Sequence, residues 1–228
     1  MAADVGWGDP ARPTVAVFDL DGTLARYDTF VQYLVGTLRR RPGRVFRTVG
    51  LPLDVVRFKA GLRDNTWLKK RFLGAIVGGL TEADLRSWSE RFAENLTATG
   101  LRPSGIERLR EHQARGHRTV LLSASPDLFV REVARRLEFS DCLCTVIARD
   151  NDGRCTGDLD GANCYGPEKV RRLEGLMRQE RGDVHVVAYG DHRSDLPLLR
   201  WADEGYLVNP SPSLAREADG ARVKVLAW

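Results

Sequence analysis

Asp19 and Asp21 stand two positions apart, immediately after the apolar run Thr14-Val-Ala-Val-Phe18. In an extended chain alternate residues face one side, so both carboxylates would meet at the rim of a buried core. Like charges there repel unless a cation or proton intervenes, and their hard oxygens suit Mg²⁺. Taken alone, Asp-x-Asp-Gly is equally well an acidic turn. Three further groups change the weighing. Ser123 follows a second apolar run, and Ser125-Pro126-Asp127 has the pattern of an N-cap with Pro in the first helical turn. A hydroxyl and free N–H groups in that place would receive a phosphate oxygen. Lys169 follows Gly166-Pro167-Glu168, another helix start, where the macrodipole opposes a cation and an anion is called for. Asp191 and Asp195 follow a third apolar run and offer more oxygen ligands. Each has an ordinary reading as a cap, a turn or a solvated charge, as does the loop residue His192.

The elements that must position these groups are three short strands, Thr14–Phe18, Arg118–Leu122 and Val184–Tyr189, each followed by helix-compatible sequence. That alternation predicts a parallel α/β sheet, in which ligands bind beyond the carboxyl ends of the strands. Between the first and second strands lie about 90 residues without a strand pattern. Tyr33–Leu38, Trp67–Val77 and Ala83–Leu96 carry helical spacing there, with Thr81 as an N-cap, and Ile106–Arg115 reads as a helix returning to the core. The expected organisation is a loose leader over 1–12, an α/β core over 13–27 and 100–228, and a helical insert over 28–99.

Composition bounds the rest. The 228 residues are 43% hydrophobic and 29% charged, which suits a globular chain and excludes general disorder. The longest nearly apolar run, Phe72–Leu80, is far shorter than the roughly 20 residues of a spanning helix, so no transmembrane segment is expected. The N-terminus lacks the pattern of a secretory signal. Cys142, Cys144, Cys155 and Cys164 lack C-x-x-C spacing and read as reduced thiols of a cytoplasmic protein. Net charge is +4, yet residues 36–71 hold eleven Lys or Arg against two Asp, a local +9. An excess of that sign attracts acidic partners. Few aromatics interleave with the arginines, so nucleic acid is not expected.

In order, Asp19-Leu-Asp-Gly-Thr23, Ser123, Lys169 and Gly190-Asp191 to Asp195 resemble the four motifs of the haloacid dehalogenase superfamily. The insert resembles its first cap type, and the Ser-Ala-Ser and Cys164-Tyr-Gly-Pro-Glu-Lys169 segments resemble its phosphoserine-phosphatase-like subclass. The resemblance implies a Rossmann-like three-layer core with a helical cap as lid. It also implies Asp19 as the nucleophile forming an aspartyl-phosphate and Asp21 as acid, then base. Ser123 and Lys169 would bind phosphate, with Mg²⁺ on Asp19, the Asp21 backbone carbonyl and Asp191, supported by Asp195. Asp two residues after the nucleophile is the pattern of the family's phosphatases and mutases.

The substrate expected from this resemblance is a small phosphomonoester, phosphoserine- or histidinol-phosphate-like. Asp28 is the candidate for specificity, because phosphoserine phosphatases carry Glu there and Asp is one methylene shorter. Two alternatives stand beside it. Arg39-Arg40-Arg41, Arg44 and Arg47 beside Val49–Val56 could contact anionic lipid, as in a phosphatase of phospholipid headgroups such as phosphatidylglycerophosphate. More remote is a non-catalytic binding protein with a basic helical insert.

Overall fold

Five consecutive buried residues, Thr14–Phe18, form strand β1 in the computed structural model, which describes residues 12–177, 181–218 and 223–228. The leader expected over 1–12 falls, except for Arg12, outside the described residues. β1 pairs in parallel with β2 (Arg118–Pro126) on one side and β6 (His185–Gly190) on the other. A strand flanked on both edges and covered on both faces must be apolar throughout, which is why its sequence shows no polar alternation. The remaining sheet strands are β3 (Asp141–Thr145), β7 (Glu204–Val208) and β8 (Val223–Leu226). The six-stranded sheet has the order β3-β2-β1-β6-β7-β8, parallel at every pairing.

Period-2 geometry divides the apolar residues between two cores. Ala16, Phe18, Leu121, Val187 and Tyr189 point to one face, and Val15, Val17, Val120, Val186 and Ala188 to the other. The first face is covered by α6 (Asp127–Arg136), which buries Phe129, Val130 and Val133, and by α5 (Pro103–Ala114), which buries Leu109. The second is covered by α7 (Pro167–Met177), α8 (Leu196–Trp201) and α9 (Pro212–Ala218) through Leu173, Met177, Leu198, Leu199 and Leu214. The result is a three-layer, Rossmann-like α/β architecture.

The chain leaves the sheet after β1 and returns through a short neck. Arg26 N–H donates to Gly100 O at 3.1 Å and Arg102 N–H to Leu24 O at 2.8 Å. Between lie α1 (Thr29–Arg40), a 3₁₀ segment (Pro42–Thr48), α2 (Leu51–Lys59), α3 (Asn65–Ile76), α4 (Glu82–Asn95) and a π-turn (Leu96–Gly100). Thr81 caps α4 in a reciprocal capping box with Asp84, which satisfies two donors at that end. Arg44 and Arg47 serve the C-terminal end of α3, donating to the carbonyls of Ile76 and Gly78 and of Gly74 and Gly78. Five strands that the sequence reading left out belong to the core region: β3, β7, β8 and the two strands of an antiparallel hairpin, β4 (Ile147–Arg149) and β5 (Cys155–Leu159).

Packing on two sides joins the insert to the core. Phe129 of α6 stacks on Tyr33 of α1 at 4.9 Å and meets Phe92 of α4 edge-on at 4.8 Å. On the far side β5 lies against α3 with two glycines face to face. A Cβ on Gly157, whose φ is +92°, would sit 2.4 Å from the Cα of Gly74. The hydrophobic core therefore runs without a break from the sheet into the insert.

Candidate active site

The parallel register of β1, β2 and β6 brings their carboxyl ends level, and the next residues of each strand gather there. Asp19 continues β1, its N–H donating to Tyr189 O at 3.0 Å, so its backbone is held by the sheet itself. Lys169, on the first turn of α7, is 2% exposed and donates from Nζ to Asp19 Oδ1 at 2.5 Å and Asp195 Oδ1 at 2.7 Å. These two carboxylates are the anions that a lysine at a helix start calls for. Burial disfavours its charge, yet Asp19 and Asp195 outweigh that and hold its pKa above the usual lysine value. Burial raises the Asp19 carboxyl well above the usual range against the pull of Lys169.

Asp191 follows β6 and accepts from Thr23 Oγ1 at 3.2 Å. Burial, then repulsion by Asp195, pushes its pKa up to about 7. The chain turn at Gly22 makes room for it: with φ at +80°, a Cβ there would lie 2.0 Å from Asp191 Oδ2. Asp195 closes the 3₁₀ turn Arg193–Asp195 by accepting from His192 N–H at 3.1 Å. His192 caps that turn, its Nδ1 accepting from Ser194 N–H at 3.2 Å.

Carboxylate oxygens of Asp19, Asp191 and Asp195 all lie within 4.8 Å of one another. Two of these aspartates are buried, and the third is half-buried. An all-oxygen, multiply anionic donor set of this kind fits a hard divalent cation such as Mg²⁺. The carboxylate of Asp21 is turned away from the cluster. Its Oδ1 accepts from Thr29 N–H at 2.6 Å and Thr29 Oγ1 at 2.5 Å, and its Oδ2 from Ser125 Oγ at 2.7 Å and Ser123 Oγ at 3.3 Å.

Ser123 is fully buried, with its hydroxyl between Asp21 Oδ2 and the N–H of Ser125, from which it accepts at 3.0 Å. Ser125 is not the N-cap that Ser-Pro-Asp suggests. β2 stays extended through Pro126, its pairing with β3 shifting between Ser123 and Pro126, and α6 begins at Asp127 with no side-chain cap. The Ser125 hydroxyl is thereby directed to Asp21 and the cavity.

That cavity, about 530 Å³, is lined by Asp19, Asp21, Asp191 and Lys169 on the core side. Asp28, Phe30, Val31, Val55, Leu68 and Lys69 line it from the insert. Asp28, an exposed residue at its edge, caps α1 by accepting from Val31 N–H at 3.0 Å; partial desolvation by the surrounding cavity wall raises the pKa of its carboxyl. Lys69, which the sequence reading left within a charge run, is buried. Its Nζ donates to Ala124 O at 2.7 Å and Asn163 Oδ1 at 2.6 Å, crossing from α3 to the core, and burial lowers its pKa to about 8. Asn163 is itself fixed by Thr145, Asn65 and Thr66. Trp67-Leu-Lys-Lys-Arg71 gives no sign of which lysine turns inward.

Against this geometry the comparisons are decisive. The sequence profile of the haloacid dehalogenase-like hydrolases matches residues 16–200. The chain belongs to that family. It is 34% identical to protein CicA of Caulobacter vibrioides, over 86% of this chain and 87% of that protein. It is 25% identical to a histidinol-phosphatase of Neisseria meningitidis, over 90% and 94%. A crystal structure of a probable phosphoserine phosphatase from Vibrio cholerae shares its fold, with a TM-score of 0.70 at 19% identity over 96% of this chain and 61% of that one. Among the described residues of this hydrolase no helix is long and apolar enough to cross a membrane.

Proposed function

We propose that this hydrolase is a Mg²⁺-dependent phosphatase of small phosphomonoesters, working through a covalent aspartyl-phosphate on Asp19. The observation that carries the reading is the buried Asp19 carboxylate, held by Lys169 beside Asp191 and Asp195 at the floor of a cavity. A carboxylate attacks a phosphoryl group only where the charge between them is offset. Mg²⁺, when bound by Asp19, the Asp21 carbonyl and Asp191, would supply most of that compensation. Lys169 adds a fixed positive charge from the protein side.

In the first displacement an Asp19 oxygen bonds to phosphorus as the ester oxygen leaves, and Asp21 gives that oxygen its proton, releasing the alcohol. In the second, Asp21 takes a proton from water as the water oxygen bonds to phosphorus. The Asp19–phosphorus bond breaks, inorganic phosphate leaves and the carboxylate is restored. Thr29, Ser123 and Ser125 hold Asp21 in place between the two roles.

The helical insert is the cap in this reading. The relatives named for histidinol-phosphate and phosphoserine support an amino alcohol phosphate as substrate, with Asp28 at the edge of the cavity as partner for its ammonium group. The test is phosphate release from a panel of soluble phosphomonoesters, with and without Mg²⁺, beside a phospholipid phosphate. Turnover that needs Mg²⁺ and favours a compact ester supports the proposal, and far faster turnover of the lipid phosphate overturns the substrate class.

A further inference from the structure

Among the described residues ten large hydrophobic side chains are exposed, and nine of them lie between Tyr27 and Leu62. Phe46 is 83% exposed, Val49 77% and Leu62 69%, with Val45, Leu53 and Val56 each half exposed or more. All six sit on the 3₁₀ segment, α2, the link between them and the loop after α2. The alternate apolar residue of the same stretch, Leu51, is buried, so this is an amphipathic surface with its second apolar side turned outward.

The same stretch carries the chain's charge excess. Arg39, Lys59 and Arg63 are exposed, while Arg57, also exposed, is paired with Asp54 at 3.1 Å. Arg44 and Arg47 bond only to carbonyls in the contacts that hold α3, which fixes their position and leaves their charge uncompensated. The lipid-facing cations expected from sequence are thus partly reassigned, since Arg41 pairs with Asp84 and Arg40 stacks on Trp88 at 3.6 Å.

We propose that residues 42–63 dock on the surface of an anionic phospholipid bilayer, with Phe46, Val49, Leu53 and Val56 entering the boundary between headgroups and chains. Protruding apolar side chains ringed by cations match a flat anionic surface over an apolar layer. A second copy of the chain fits poorly, because a two-fold contact would set this patch against itself, cation facing cation. Val55 lines the cavity and its neighbour Val56 is exposed, so the docking face adjoins the cavity mouth. The proposal is independent of the reading of the active site.

The experiment is co-sedimentation of the full chain with vesicles of phosphatidylcholine alone or with about 30% phosphatidylglycerol, at low and high salt. Two variants accompany it, Phe46→Ser/Val49→Ser and Lys59→Glu/Arg63→Glu. All of these side chains are exposed, so folding is not at stake, and unchanged hydrolysis of an aryl phosphate checks that. The expected result is binding stronger by about tenfold or more on the anionic vesicles, weakened by salt, and reduced by about tenfold in each variant. Equal or absent binding to the two vesicle types overturns the proposal, as does binding that both variants retain. Self-association abolished by Phe46→Ser/Val49→Ser, without vesicle binding, overturns it in favour of a contact between copies.

Discussion

The Nζ of Lys69, on helix α3 of the insert and at the cavity wall, donates to Oδ1 of Asn163 in the core at 2.6 Å. A buried ammonium with two good acceptors stabilises one relative position of insert and core, and its removal takes a donor from each, leaving Asn163 Oδ1 only its bond from Thr145. Lys69→Met is therefore expected to raise KM about tenfold, with a smaller effect on kcat, for a substrate that needs the insert in that position. Steady-state kinetics with the best soluble ester checks this. An equal fall in kcat at unchanged KM would place Lys69 in the chemistry instead.

His112 on α5 is fully buried against Phe18, its Nε2 3.0 Å from the Tyr189 hydroxyl and its Nδ1 2.8 Å from Nδ1 of His117. Burial, then the nearby His117, lowers its pKa to about 3. The unfolded chain binds a proton near pH 6.5 that the fold accepts only near pH 3, so this group destabilises the fold as pH falls through that window. The loss is on the order of 1.4 kcal/mol per pH unit below about 6.5. Urea unfolding at a series of pH values should show it, and His112→Gln should flatten the slope.

Phe129 joins the insert's aromatic cluster to the sheet. Phe129→Ala is expected to cost about 3–5 kcal/mol, through lost burial and the cavity left behind. Denaturant titration measures it. A loss below about 1 kcal/mol would show that Tyr33 and Phe92 close the gap.

Gly157 allows β5 to lie against α3 at backbone contact. Gly157→Ala sets a methyl group against Gly74 Cα at a positive φ, and is expected to cost about 1–3 kcal/mol. Because α3 carries Lys69, the KM of this variant should rise as well. Stability and KM measured on one preparation check both expectations.

Much of the sheet's centre was legible because β1, β2 and β6 are buried on both faces and must be continuous apolar runs. The strands nearer its edges were not. β3 reads Asp-Cys-Leu-Cys-Thr and β8 Val-Lys-Val-Leu, where polar residues meet solvent and the apolar signal is too short to separate from loop. Thr81 was legible as a cap because its capping box is local. Ser125 was misread since Ser-Pro-Asp is also a local signature, and only the pairing of β2 with β3 keeps it extended. Lys69 lay hidden for the opposite reason: its partners, Ala124 and Asn163, are 55 and 94 residues away. The gathering of Asp19, Asp191 and Asp195 followed from a general rule of parallel sheets, whereas Lys169, on a helix start, was legible only through its place in the order of motifs.

The central claim is covalent transfer to Asp19. It is tested most directly by acid-quenching the protein during turnover of an aryl phosphate with Mg²⁺, then locating phosphate by peptide mass spectrometry. The account predicts a phosphoryl group on the peptide containing Asp19, and neither this adduct nor turnover in Asp19→Asn. Full activity in Asp19→Asn, or an adduct on another residue, would contradict it.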